Sequence, residues 1–396
     1  MTSRDDGTGP ASQVRIRAGL VNRLRQRYPL RSVLLGFAAP IGAILFAALA
    51  SSAILSLGGH SPGDVFQTMF KQAGKPTPFV DMVNQAMVYY LSAVAVSIGF
   101  RMNLFNIGVE GQYSLAALGA AYVGGQLTGG GPLHIVAEVV VAVLVGAAWA
   151  GIAGVLKVYR GVSEVISTIM LNAIAVGLGS YLLHKLGQSS GNNIQTKPIS
   201  SSGQFPGISY SGTHSKIFGF LIVAVVLGFA YWFIAGRTRF GFRIRVTGLN
   251  EEAAVASGVN VKRMTLVAML LSGGVAGLVG LPELLGQTHT FSQTAQSGLG
   301  FAGIAIALLG RNSPIGMALA AVLWSFLGKS ANQLDFIGVP REIAAIMQGV
   351  ILLSVVIAYE LVRRYRLVLQ QKDVAAQLAT GEPTERDAPS APVVTA

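Results

Sequence analysis

Residues 33–57 read Val33-Leu34-Leu35-Gly36-Phe37-Ala38-Ala39-Pro40-Ile41-Gly42-Ala43-Ile44-Leu45-Phe46-Ala47-Ala48-Leu49-Ala50-Ser51-Ser52-Ala53-Ile54-Leu55-Ser56-Leu57, without a single charge. A bilayer core of about 30 Å needs about 20 helical residues at 1.5 Å each, so this stretch reads as a membrane span. Nine further uncharged runs follow: 82–100, 111–127, 139–156, 165–184, 217–236, 264–281, 298–310, the stretch between Arg311 and Lys329, and 343–359. The run at 298–310 is too short to cross comfortably. With 12% charged residues in a chain of 396, the composition excludes an ordinary soluble enzyme. The expected fold is all-α: a polytopic membrane protein of about ten hydrophobic segments, some broken or short.

The net charge of +12 does not call for nucleic acid. An even number of crossings puts both termini on one side, and Arg15, Arg17, Arg23, Arg25, Arg27 and Arg31 make that side cytoplasmic. On this threading 22 of the 29 Lys and Arg fall inside and 7 outside. Basic charge thus reports orientation in lipid. The first run exceeds an ordinary signal peptide in length, as does the region before it, so it is read as an uncleaved span despite a possible Ala48-x-Ala50 site.

Three divisions follow: a basic extension over 1–32, a transmembrane domain over 33–365 and a disordered cytoplasmic tail over 366–396. Gly187 to Ser215, rich in Ser, Gly and Asn, reads as a long extracellular loop.

Two soluble-enzyme motifs fail on context. Gly298-x-Gly300-x-x-Gly303 matches a dinucleotide fingerprint, yet no strand precedes it and no acidic residue follows at the required distance. Its glycines fit close packing or a broken helix instead. Gly328-Lys329-Ser330 resembles the end of a phosphate loop, but Leu323 stands where the first glycine belongs. The absence of cysteine excludes thiolate nucleophiles and Cys-ligated metals, and five scattered histidines leave little for another metal.

Two segments carry more information. Gly248-Leu249-Asn250-Glu251-Glu252-Ala253-Ala254-Val255-Ala256-Ser257-Gly258 predicts a two-turn helix outside the bilayer. Asn250 is its N-cap, two glutamates complement its dipole and Gly258 stops it. Its small side chains let another protein approach closely. The alternative is a solvated connector. The second segment, Phe100 to Gln112, interrupts apolar sequence with Asn103, Asn106, Glu110 and Gln112. At bilayer depth such groups need a wet or paired environment, and the glycines flanking Glu110 suggest non-helical backbone. They could equally cap the ends of the second and third spans.

Together these segments resemble the permease subunit of a bacterial nucleoside ABC importer, of the ribose/branched-chain amino acid permease superfamily. The likeness rests on Phe105-Asn106-Ile107-Gly108-Val109-Glu110-Gly111-Gln112, the 248–259 loop, Leu271-Ser272-Gly273-Gly274-Val275-Ala276-Gly277 and the stretch from Gly303 to Gly316. It implies that Gly248, Asn250, Glu251, Glu252, Ala253, Ala254, Ser257 and Gly258 form a coupling helix docking on an ABC ATPase. ATP and magnesium would act on that partner and no cofactor on this chain. It further implies a second homologous permease, an extracellular or periplasmic binding protein, surrounding membrane lipid, and residence in the bacterial cytoplasmic membrane. The long basic N-terminal extension departs from the pattern.

Asn84, Tyr89, Asn106, Glu110, Gln112 and Asn172 are the candidate substrate-pathway residues, with Tyr90 a further polar group in span two. Ser272, Gly273, Ala276, Gly277 and Gly280 form a small-residue packing face. His134 and His184 are expected at interfaces, and Glu283 as a cap. The chain is expected to move solute rather than transform it. A rival, the ion-coupled secondary transporter, should carry acidic or His relays within its spans, and the apolar runs hold essentially none. An intramembrane enzyme would need a nucleophile-base or metal constellation, which is missing.

Overall fold

The computed structural model describes residues 30–191, 193–292, 297–334, 338–340 and 342–379. The basic N-terminal extension up to residue 29 and the tail beyond 379 lie outside them. The chain forms two compact units, one of Met1–Leu57 with Gly349–Ala396 and one of Gly58–Gln348.

In the first unit, α1 spans Leu30–Leu57. The last helix, α13, spans Glu342–Ala379 and crosses the boundary between the units. It covers residues 366–379 of the stretch where the sequence reading placed disorder, because these residues are mostly good helix formers.

The second unit holds α2 (Pro62–Ala73), α3 (Pro76–Phe100), α4 (Val109–Gln126), α5 (Pro132–Arg160), α6 (Glu164–Leu186), α7 (Leu221–Arg237), α8 (Arg239–Leu249), α9 (Glu251–Ala256), α10 (Val261–Gly277), α11 (Leu299–Leu309) and α12 (Pro314–Leu334). Beyond α10 the chain turns through Leu281–Glu283 and a π-helical stretch, Leu284–Thr288. The body of each of the ten apolar runs falls on a helix, although the run at 217–236 opens before α7 starts at Leu221. Among the described residues, five helices are long and apolar enough to cross a membrane. A sixth span arises if α7 and α8, bent by 70°, count as one.

The core is built from small residues that bring helices together. On α10, Gly273 and Gly277 pack on Ala142, Gly146 and Ala150 of α5, as the small-residue face predicted. Gly280 rests against Ala117 and Tyr113 of α4. The largest fully buried side chains of this unit include Leu91, Phe220, Met269, Leu281, Leu285, Ile306 and Met317.

Three expectations need correction. The 187–217 segment is not a plain loop: it carries two antiparallel ladders, β1 (Gln188–Ser190) with β2 (Asn193–Gln195) and β3 (Ile208–Ser209) with β4 (Lys216–Ile217). Backbone bonds hold it down, Ile199 N to His289 O and Phe205 N to Leu285 O, both 2.9 Å. Second, the apolar helices are not free of acidic and histidine side chains. Glu138 and His134 are fully buried in α5, with His134 Nε2 3.3 Å from Glu138 Oε1. The uncharged run began at Val139 and so cut away the first seven residues of this helix. Third, the backbone break lies at 101–108, while Glu110 and Gly111 belong to the first turn of α4.

Candidate functional site

The α4 N-terminus is set by Gly108 and Gly111. A Cβ at Gly111 would lie 2.7 Å from Ala175 Cβ, and one at Gly108 would lie 2.7 Å from Gln112 Nε2. Glycine at both positions lets α4 pack against α6 and its own entry loop. Within this close packing, Asn106 and Gln112, each 1% exposed, exchange a reciprocal pair of amide bonds at 3.0 and 2.8 Å. Asn106 Nδ2 also donates to Ser272 Oγ at 2.8 Å, and Ser272 Oγ donates to Ala95 O at 2.7 Å. Gly108 N donates to Asn106 Oδ1 at 3.1 Å. Asn172 on α6 completes the set, accepting from Gly111 N and donating to Ile107 O, both at 2.9 Å. The polar string predicted to need a wet or paired environment is therefore paired.

Glu110 reaches across to α11. Its Oε1 accepts from Gly298 N at 2.5 Å and from Tyr113 Oη at 2.9 Å, and its Oε2 accepts from Gly300 N at 2.8 Å. A carboxylate thus binds the amides that open an 11-residue half-helix, where the helix dipole favours negative charge. Gly300 permits this, since its Cβ would lie 2.5 Å from Glu110 N. Gly298 has φ +85°. Gly303 packs directly on Ser92, whose Oγ donates to Leu299 O at 2.8 Å. The rejected dinucleotide motif is thus a packing motif.

Three cavities with polar groups in their lining lie near the opening of this half-helix or beside α3. One of about 260 Å³ is lined by Gln85, Tyr89, Ser297, Ser325 and Lys329. A second of about 440 Å³ includes Glu110, Tyr113, Ser114, Phe291, Ser292 and Ser297. A small one of about 40 Å³ brings together Asp81, Asn84, Gln85, Glu283, Gln287 and Lys329. Ser297 lines the first two, and Gln85 and Lys329 are common to the first and third. A groove of about 690 Å³ involving α3, α7 and α12 is larger, but Met87, Phe229 and Trp232 make it apolar.

Of the sequence-predicted pathway residues, Tyr89, Asn84 and Glu110 line these polar cavities, while Asn106, Gln112 and Asn172 line none of the three. Asn84 is also committed to backbone, donating to Lys216 O at 2.9 Å and accepting from Phe218 N at 2.8 Å. Tyr90 places its hydroxyl against Gly228 of α7. Burial lowers the pKa of His289, which follows the π-helical stretch. Sequence reasoning passed over Gln85, Ser297 and Ser325 as site residues, and Lys329 entered as the end of an apolar run and part of a failed phosphate loop.

The coupling-loop residues fold much as predicted. Asn250 caps α9, its Oδ1 accepting from Ala253 N at 3.0 Å, and Gly258 has φ +76°. Gly248, at the end of α8, seats on the 101–104 turn: its Cβ would lie 2.7 Å from Arg101 O and 2.8 Å from Met102 Cα. One residue faces the other way from what its small size suggested. Ala254 is fully buried within the chain, so the exposed face is Glu251, Glu252, Ala253, Val255, Ala256 and Ser257. On a short helix one face must pack on its own chain, and here Ala254 supplies it. Arg101, missed as a site residue, donates through Nε to Tyr231 Oη at 2.7 Å and through Nη2 to Asn312 O at 3.2 Å.

The apolar helical chain thus carries cavities with polar lining groups near a half-helix, and a capped loop helix that follows the seat of Gly248. Residues 79–356 match the model of the branched-chain amino acid transport system / permease component family. The chain belongs to this permease family. It is similar to the guanosine ABC transporter permease protein NupP of Bacillus subtilis (strain 168), 32% identical over 81% of this chain and 93% of that protein. The nucleoside ABC transporter permease protein NupB of Lactococcus lactis is 30% identical over 81% of this chain and 90% of its own length. The glucose ABC transporter permease protein TsgB13 of Haloferax volcanii is 30% identical over 84% and 90%.

Proposed function

We propose that this chain is one permease subunit of an ATP-driven importer of nucleosides or related small hydrophilic solutes in a bacterial cytoplasmic membrane. The observation that carries the reading is the cluster of polar cavities at the α11 N-terminus, in a chain whose relatives NupP and NupB are guanosine and nucleoside permeases. Tyr89 offers an aromatic face and a hydroxyl to a base, while Gln85, Ser297 and Lys329 offer hydrogen bonds to base edges or ribose hydroxyls. Asn106, Gln112 and Asn172 support this pathway by fixing the backbone around it.

In this reading both termini and α9 are cytoplasmic, and the 187–217 segment is extracellular. The exposed face of α9 docks on an ATPase that binds ATP and magnesium. A second, homologous permease completes the pore, and a binding protein delivers solute from outside. All ten apolar runs then lie within the bilayer, with the short α11 supplying part of the eighth crossing.

The test is reconstitution of the permease complex with its ATPase and binding protein, followed by uptake of radiolabelled guanosine. Vanadate-sensitive uptake that persists without an ion gradient supports the proposal. Gradient-dependent uptake would favour the ion-coupled alternative, and competition by glucose but not by nucleosides would move the solute to sugars, as TsgB13's name describes.

A further inference from the structure

The ten-residue stretch that opens at Arg101 and closes at Glu110 holds both ends of α11. At the N-terminal end the Glu110 carboxylate takes the amides of Gly298 and Gly300. At the other end Asn312 N caps the helix by donating to Ala307 O at 2.9 Å, and Asn312 O accepts from Arg101 Nη2 at 3.2 Å and from Tyr231 Oη at 3.0 Å. Asn312 and Arg311 both have φ near +54° and +53°, a turn that non-glycine residues adopt only when their surroundings hold them. The Arg101 guanidinium also stacks over the Tyr231 ring, 5.1 Å from its centroid. Gly248 of the coupling loop rests on the backbone of Arg101 and Met102.

From this arrangement we infer that Arg101 and Glu110 are positioning residues that clamp α11 from its two ends, so that displacement of the coupling loop reaches the cavity-lining end of α11 through the 101–110 segment. The helix before α8 meets the same point, since Tyr231 of α7 bonds both Arg101 and Asn312. A charged hydrogen bond at each end resists stretching of the helix away from the segment better than a neutral one. Neither residue is required to touch solute for this role.

The inference rests on the importer reading for its transport readout, and a second readout is independent of it. In the reconstituted complex, Arg101→Gln and Glu110→Gln should leave ATPase co-purification and ATP hydrolysis within about two-fold of the parent. Solute taken up per ATP hydrolysed should fall by about ten-fold, the effect of losing one charged hydrogen bond. The double variant should be no worse than the poorer single, since both act through one helix. Lys157→Gln, which removes an ion pair to Glu164 at the α5–α6 turn, serves as the control and should leave that ratio unchanged.

In the purified chain alone, amide hydrogen exchange over 298–312 provides the second measurement. Each variant should raise exchange at both ends of α11, including the end its own side chain does not touch. An unchanged uptake-to-hydrolysis ratio in assembled variants, losses that multiply, or exchange effects confined to the near end would each overturn the clamp. A parent complex that takes up no nucleoside would sink the importer reading instead and leave the exchange result to decide the clamp.

Discussion

Asn106→Ala removes one amide and strands several buried groups. The lost side chain accepts from Gly108 N and Gln112 Nε2 and donates to Gln112 Oε1 and Ser272 Oγ. Ser272 keeps its bond to Ala95 O, but both ends of the Gln112 amide and the Gly108 N–H lose their partner. Gln112 is 1% exposed, so water does not replace what is lost. At about 1–3 kcal/mol for each unsatisfied buried group, and with partial relaxation, the variant should be destabilised by about 3–6 kcal/mol. That corresponds to about 10 °C or more in thermal midpoint. Gln112→Leu in the same background removes the stranded amide, so the double variant should recover at least about half of the loss, although Gly108 N–H stays unpaired. The assay is thermal unfolding of the detergent-purified chain, followed by tryptophan fluorescence at one scan rate, with the four members of the cycle compared side by side. A double variant as unstable as the sum of the singles would refute the reciprocal pair. An Asn106→Ala variant that melts like the parent yet transports nothing would show instead that Asn106 meets solute.

Three further outcomes follow from the loop and its seat. Gly248→Ala forces a methyl against Arg101 O and Met102 backbone, which cannot retreat like a flexible side chain, so about 1–3 kcal/mol should be lost and uptake should fall even where the ATPase still binds. Ala254→Trp overpacks an intrachain contact and should lower expression and thermal midpoint, whereas Ala253→Trp and Ala256→Trp, on the exposed face, should fold normally and lose ATPase co-purification; normal co-purification in both would remove α9 as the docking surface. In a chain without native cysteine, Ser201→Cys should react with an impermeant maleimide in intact cells and Ser257→Cys only after permeabilisation, and labelling of both from one side would refute the proposed orientation.

The helices were legible because uncharged length is a one-dimensional property, and every run of that kind became a helix. Where the sequence reading went astray, the deciding partner lay far away in the chain. Glu138 broke an apolar run on paper but is buried against Gly124 of α4 and Gly203 of the 187–217 segment, besides His134 one turn before it. The polar string from Asn106 to Gln112 announced that it needed partners, yet nothing local identified Ser272 or Gly298, the latter 188 residues from Glu110. For α9, the cap, first-turn acids and stopping glycine are all local signals and all appear. Which alanine turns inward depends on the docking of a six-residue helix on its own chain, which no periodicity over so short a stretch can give.

A polar side chain in so apolar a protein has two stable fates, and its count of satisfied groups separates them. Asn172 spends its carbonyl on Gly111 N and its amide on Ile107 O, and Asn84 spends both ends on the Lys216–Phe218 backbone. Breaking such bonds to bind a solute would exchange an existing hydrogen bond for a new one, with no net gain. On the proposed function these residues therefore shape the pathway by holding backbone. Glu110 lies between the two fates: three bonds occupy its carboxylate, which has room for about four. Its negative charge is already matched to the α11 amides, so an approaching anion would meet a carboxylate rather than open N–H groups. On the proposed function, the Glu110 side of the 440 Å³ cavity therefore suits the neutral hydroxyl and amide groups of a nucleoside, while Lys329 is the charged group of the adjoining 260 Å³ cavity.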